Sequence, residues 1–112
     1  MELARKRVLF GTRRRTEVLI MIALLEETYP NELARLLGVQ LYSVQTIVES
    51  LARDGVLASR KRGGLRLVSL DPRFYATSEL RSLLLRLADG EPSLQEAAAQ
   101  RRSRPRLKGK AV

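Results

Sequence analysis

The sequence predicts a mainly α-helical protein with one small β-hairpin. Three observations carry this. Val44, Ile47, Val48 and Leu51 recur at spacings of three and four, which puts them on one face of a helix. Gly63-Gly64 separates two short segments, VLASRK and LRLVSL, as a tight turn separates hairpin strands. Pro30-Asn31, Gly38, Gly55 and Asp71-Pro72 fall where elements should start or stop.

Taken in order, residues 1–11 form a basic N-terminal arm that also carries Leu3, Val8, Leu9 and Phe10. Thr12 or Thr16 can cap a first helix running to about Thr28. Its apolar residues between 18 and 25 cover most of its circumference, so it must be buried on nearly all sides. Pro30 suits the start of a second helix, Asn31 can cap it, and Gly38 ends it. A third helix spans about 40–54, and Gly55 closes it. The hairpin follows, then a helix over about 74–88 with Leu80, Leu83, Leu84 and Leu87 along one side. Residues 12–90 make the domain; 91–112 read as a basic, largely disordered tail holding at most a brief helix over 93–100 capped by Ser93. There are no internal repeats.

Net charge is +9, and its distribution says more than its size. Arg5, Lys6, Arg7, Arg13, Arg14 and Arg15 against Glu2 give +5 over 1–15. Arg101, Arg102, Arg104, Arg106, Lys108 and Lys110 give +6 over 101–112. The stretch 16–100 sums to −2, yet contains RKRGGLR, residues 60–66, with +4.

The chain has neither Cys nor His, which excludes disulfides, zinc fingers and thiol or imidazole catalysis. Absence of Cys suits a reducing, cytoplasmic setting. Three arginines before an apolar run suggest an export signal or membrane span, but the run is too short and ends in Glu26-Glu27. No Ser-His-Asp set, phosphate loop or paired carboxylates occur, so no catalytic residue, metal, cofactor or enzymatic activity is expected.

The segment NELARLLGVQLYSVQTIVESLARDGVL, followed by a basic glycine-containing hairpin and a strand ending in Asp-Pro, resembles the winged helix-turn-helix family, in particular repressors of the ArsR and MarR type. The resemblance covers about 9–89. It implies that the third helix reads the major groove of double-stranded DNA while the hairpin, as a wing, grips the backbone or minor groove. It also implies a homodimeric transcriptional regulator, acting as a repressor on an inverted repeat. The metal-sensing residues of that family, Cys and His, are missing here, so metal sensing is not carried over.

On the third helix the polar candidates are Gln40, Tyr42, Ser43, Gln45 and Thr46, side chains able to hydrogen-bond base edges. The wing candidates are Arg60, Lys61, Arg62 and Arg66. Residues 39–52 hold no Lys or Arg and one acid, Glu49, so phosphate contact has to come from elsewhere. Glu49 and Asp54 read as surface charges. The first and last helices of the domain, through Val18, Leu19, Ile22, Leu25, Leu80, Leu84 and Leu87, hold more Leu and Ile than one small core needs, and are the expected dimer surface. The competing expectation is a winged helix serving as a protein-interaction module with at most non-specific nucleic-acid binding, which the cation-free helix favours.

Overall fold

The structure is a computed structural model that describes the backbone of residues 9–111 and side chains as far as Arg101. Most of the expected arm, and the tail cations beyond Arg101, lie outside the described side chains. Among the described residues there are five helices and a two-stranded antiparallel hairpin.

Helix α1 (Arg13–Leu25) starts at Thr12, whose extended backbone turns its side chain onto the first turn. The Arg15 N–H donates to Thr12 Oγ1 at 3.1 Å, so Thr12 is the cap. Thr16 lies inside the helix, its hydroxyl donating to the Thr12 carbonyl at 3.0 Å. As its composition demands, α1 is the central rod: Val18, Leu19, Ile20, Met21, Ile22 and Ala23 are all buried. The helix stops at Leu25, short of Thr28. Glu26 takes φ 71°, ψ −48°, and the Glu27 N–H donates to the Leu25 carbonyl at 2.8 Å. That is a γ-turn of the strained, positive-φ kind.

After the turn, Thr28 exchanges both backbone hydrogen bonds with Val68, at 3.0 and 2.8 Å. Helix α2 (Pro30–Leu37) follows, with Tyr29 at its N-cap and Pro30 in its first turn. Asn31 therefore sits inside the helix rather than capping it. Gly38 ends α2 in the left-handed region at φ 68°, ψ 38°, and the Val39 N–H reaches back to the Ala34 carbonyl at 3.0 Å. A side chain at 38 would be strained there. Helix α3 (Leu41–Arg53) begins three residues on; of the four residues expected on its inner face, Val44, Val48 and Leu51 are buried and Ile47 is half-buried at the edge.

Strands β1 (Leu57–Arg62) and β2 (Leu65–Leu70) pair from Leu57↔Leu70 to Arg62↔Leu65. Gly63 supplies φ 61° at the first position of the two-residue turn. Asp71 then anchors the exit: its carboxylate accepts from the Arg73 N–H at 2.9 Å and from the Arg73 guanidinium, which holds its pKa below the usual carboxylate value. The turn so formed delays helix α4 (Thr77–Ala88) by three residues relative to expectation.

The largest departure is at the end. Helix α5 (Pro92–Ala111) is neither brief nor preceded by the end of the domain. Leu94, Ala97 and Ala98, spaced three and four apart, are buried, and α5 packs on α1, α2 and α4. The boundary expected at 90 is thus wrong for the segment to Arg101. The helix also starts at Pro92, so the Glu91 carbonyl, not Ser93, receives the first helical bonds.

This corrects the expected dimer surface as well. Val18, Leu19, Ile22, Leu25 and Leu84 are buried within the single chain, because α1 and α4 pack on each other and α5 adds further cover. Leu80 and Leu87 are half-buried, and Leu80 lines a hollow of about 260 Å³ with Phe10, Leu19, Leu51, Val56 and Phe74, closed on one side by Arg15. Leu83, expected on the inner side of α4, is exposed.

A chain ending at residue 90 should lose its cooperative thermal transition, whereas one ending at 103 should keep it, as followed by circular dichroism. Leu94→Ala in the full chain should cost about 2–4 kcal/mol in denaturant unfolding, the usual range for a buried leucine.

Candidate functional site

The exposed side of α3 carries Tyr42, Ser43, Gln45, Thr46 and Glu49, with Gln40 at its N-cap. All five polar candidates are solvent-exposed, and Tyr42 is 77% exposed. They lie opposite the buried stripe, as a single helix requires. Thr46 is partly committed, since its hydroxyl donates to the Tyr42 carbonyl at 3.0 Å. Gln40 makes no side-chain cap bond and is free to engage a ligand.

Strand alternation sorts the hairpin cations into two pairs. Leu57, Val68 and Leu70 are buried on one face of the ribbon. Lys61 and Arg66 are register partners on the continuation of that face. Arg60 and Arg62 occupy the other face, opposite Leu67 and Leu65.

Of these four cations only Arg60 is held. Arg60 donates through Nε and Nη2 to Glu27 Oε2 at 3.1 and 2.8 Å. It ties the hairpin to the end of α1. Lys61, Arg62 and Arg66 are exposed and form no ion pair with any described residue. Lys61 directly opposite Arg66 is a like-charge cross-strand pair, which destabilises an isolated hairpin.

Arg66 also faces α3. With Gly64 and Leu65 it forms one wall of a cleft of about 240 Å³, whose other walls are Gln45, Val48 and Glu49 of α3 and Tyr29, Pro30 and Asn31 at the start of α2. The structure thus brings Gln45 and Arg66 together, leaves Lys61 beside them, and sends Arg60 elsewhere. Tyr29 and Asn31 were not foreseen as part of the site. Their signal was Pro30: a proline in the first turn makes the residue before it the cap and exposes Asn31 one position inside.

Two arginines at the start of α1 have structural work. Arg15 donates to Ser50 Oγ at 3.2 Å and lies 3.6 Å from Asp54, linking the start of α1 to the end of α3. Arg14 pairs with Glu17 at 2.7 Å. Asp54 is therefore a partner of Arg15, while Glu49 has no hydrogen bond or ion pair among the described residues. No group of three or more Asp and Glu that could hold a metal occurs among the described residues, nor is any described helix long and apolar enough to cross a membrane.

No protein-family model, curated protein or solved structure matches the chain.

The unrelieved Lys61–Arg66 pair makes a stability prediction independent of any ligand. Lys61→Glu should raise the unfolding free energy by about 0.2–1 kcal/mol, the range of cross-strand charge effects, in urea titrations at low salt. The gain should shrink as salt is added.

Proposed function

We propose that the chain is a winged helix-turn-helix regulator that binds double-stranded DNA as a homodimer, acting in the cytoplasm as a repressor by occupying a promoter, with no catalytic role. The observation that carries this reading is the shared cleft: Gln45 of α3 and Arg66 of the hairpin both line one cleft of about 240 Å³. The order of elements supports it. Helix α2, a three-residue turn and α3 precede a hairpin whose tip stands beside α3. Phosphate contact falls to Lys61, Arg62 and Arg66, and base contact to Gln40, Tyr42, Ser43, Gln45 and Thr46. An anion lying across Lys61 and Arg66 relieves their mutual repulsion, so the pair costs stability in the free protein and favours the complex. Arg60 drops out as a primary contact because Glu27 already neutralises it.

The dimer is proposed through the outer face of α4. Glu79, Leu83 and Arg86 recur there at spacings of four and three, all exposed. That order is self-complementary. In an antiparallel two-fold pairing centred between Ser82 and Leu83, Glu79 meets the partner's Arg86, and the reverse. Arg86 now pairs with Asp89 at 3.3 Å, both well exposed, a contact that exchanges at little cost.

A second reading, a protein-binding winged helix, is favoured by one observation: the exposed face of α3 carries no cation before Arg53 and presents Tyr42 and Leu41 instead.

Fluorescence anisotropy with duplex DNA across salt concentrations separates the two. A DNA-binding dimer should show affinity falling steeply with salt. Arg66→Ala should weaken binding to every sequence and flatten the salt slope by about 2, one phosphate contact per protomer. Gln45→Ala should keep the slope and reduce discrimination between sequences by about 1–3 kcal/mol. Salt-insensitive binding, or no binding to any genomic duplex at low salt, supports the protein-binding reading. For the dimer, sedimentation should give twice the chain mass, and Leu83→Glu should return the monomer without lowering its melting temperature.

A further inference from the structure

We infer that Glu49 is a specificity-determining residue that selects cytosine at one position of the DNA site, an inference that rests on the DNA-binding reading above. The observations are its place and its lack of a partner. Glu49 lies one helical turn beyond Gln45 on the same exposed stripe of α3, and it lines the same cleft as Gln45 and Arg66. Nearly every other acid close to this region is already matched: Asp54 with Arg15, Glu32 with Thr28 and Arg101, Glu27 with Arg60. Glu49 alone among these forms no hydrogen bond or ion pair with a described residue, although Arg66 lines the same cleft and Arg53 lies one turn further along α3.

The chemistry of the groove decides what such a carboxylate does. An ionised carboxylate only accepts hydrogen bonds. Guanine offers two acceptors in the major groove and thymine offers one with a methyl, so both repel or waste it. Adenine offers a donor beside an acceptor. Cytosine offers a donor amine alone, and is the base edge that a carboxylate matches without conflict. Phosphates repel Glu49 wherever α3 approaches DNA, so the residue lowers affinity for most sequences and restores it at sites with cytosine in the facing position. It acts by rejecting wrong bases as much as by holding the right one. Arg66 across the cleft steadies the approach by neutralising the nearest phosphate.

The test uses the full chain and a pool of duplexes randomised over roughly two helical turns. Bound fragments are selected and sequenced for the wild type, Glu49→Gln and Glu49→Ala. The wild type should show a cytosine preference of roughly tenfold or more at one position per half-site. Glu49→Gln should move that preference to adenine, which a glutamine side chain pairs bidentately. Glu49→Ala should erase it while leaving the other positions unchanged. Both variants should melt at the wild-type temperature, because Glu49 is exposed and unbonded. A uniform rise in affinity for all sequences, or unchanged preferences in both variants, overturns this inference while leaving the DNA reading intact. No binding of the wild type to any duplex in the pool overturns both.

Discussion

One guanidinium holds the ends of the domain together. Arg101 donates to the Leu25 carbonyl at 3.3 Å and to the Glu27 carbonyl at 2.8 Å, and its Nε lies 3.4 Å from the buried Glu32 carboxylate. Those two carbonyls flank Glu26, the one non-glycine residue with positive φ among the described residues. A strained γ-turn persists only where its surroundings over-determine it, and Arg101 does so from seventy-odd residues away. The direction in which the chain leaves α1 follows from that turn. It places Thr28 against Val68 and Glu27 beneath Arg60. The docking of the last helix therefore reaches the hairpin through two hydrogen bonds and one buried acid. Loss of Arg101 would leave the buried Glu32 carboxylate with the Thr28 hydroxyl at 2.6 Å and the longer Arg35 contact at 3.8 Å, a weakening worth about 1–3 kcal/mol.

The cations of this chain divide by task, and position in the sequence does not reveal the division. Arg14, Arg15, Arg60, Arg73, Arg86 and Arg101 each meet a carboxylate of their own chain. Several of these are exposed pairs of small energetic worth, but they set where charge is spent. Arg15 fixes the far end of α3 to α1. Arg60 fixes the hairpin to the same helix. What remains uncommitted on the hairpin is Lys61, Arg62 and Arg66. Bulk charge of +9 thus overstates what the described surface offers to an anion, and the local pattern beside α3 is the more informative quantity.

How much could be read beforehand follows the range of the interactions. Helix α3, its buried stripe, the left-handed end of α2 at Gly38 and the glycine turn of the hairpin are set by neighbours in sequence, and all were readable from spacing and residue type. The exposed polar row from Gln40 to Thr46 came with them, since a helix with one face fixed has the other fixed too. What escaped is long-range. Helix α5 touches the core with one leucine and two alanines, a weak apolar signal beside so many arginines. Without α5, the saturated surface of α1 looked like an interface between copies. The stop at Leu25 and the role of Arg101 depend on a contact that no local pattern encodes. The pairing of Arg60 with Glu27 escaped for the same reason.

The aim of the hairpin charge depends in turn on burial. Side chains on a strand alternate, so a shift of one residue exchanges the two faces of the ribbon. Val68 is buried and bridged to Thr28, and Leu57 and Leu70 are buried on the same face. That apolar triad fixes the register, and with it the side on which Lys61 and Arg66 emerge once the ribbon leaves the core. A one-residue slip of β2 would carry Arg66 to the face of Arg60 and set Leu67 or Ser69 where Val68 packs, giving up the matched apolar burial of Val68 and Leu70. The positive edge of the cleft is therefore aimed by hydrophobic contacts several residues away from it. For the same reason α3 can do without Lys or Arg before Arg53: the ribbon carries positive charge beside it, and the helix surface from Leu41 to Ala52 is left to neutral groups and one acid.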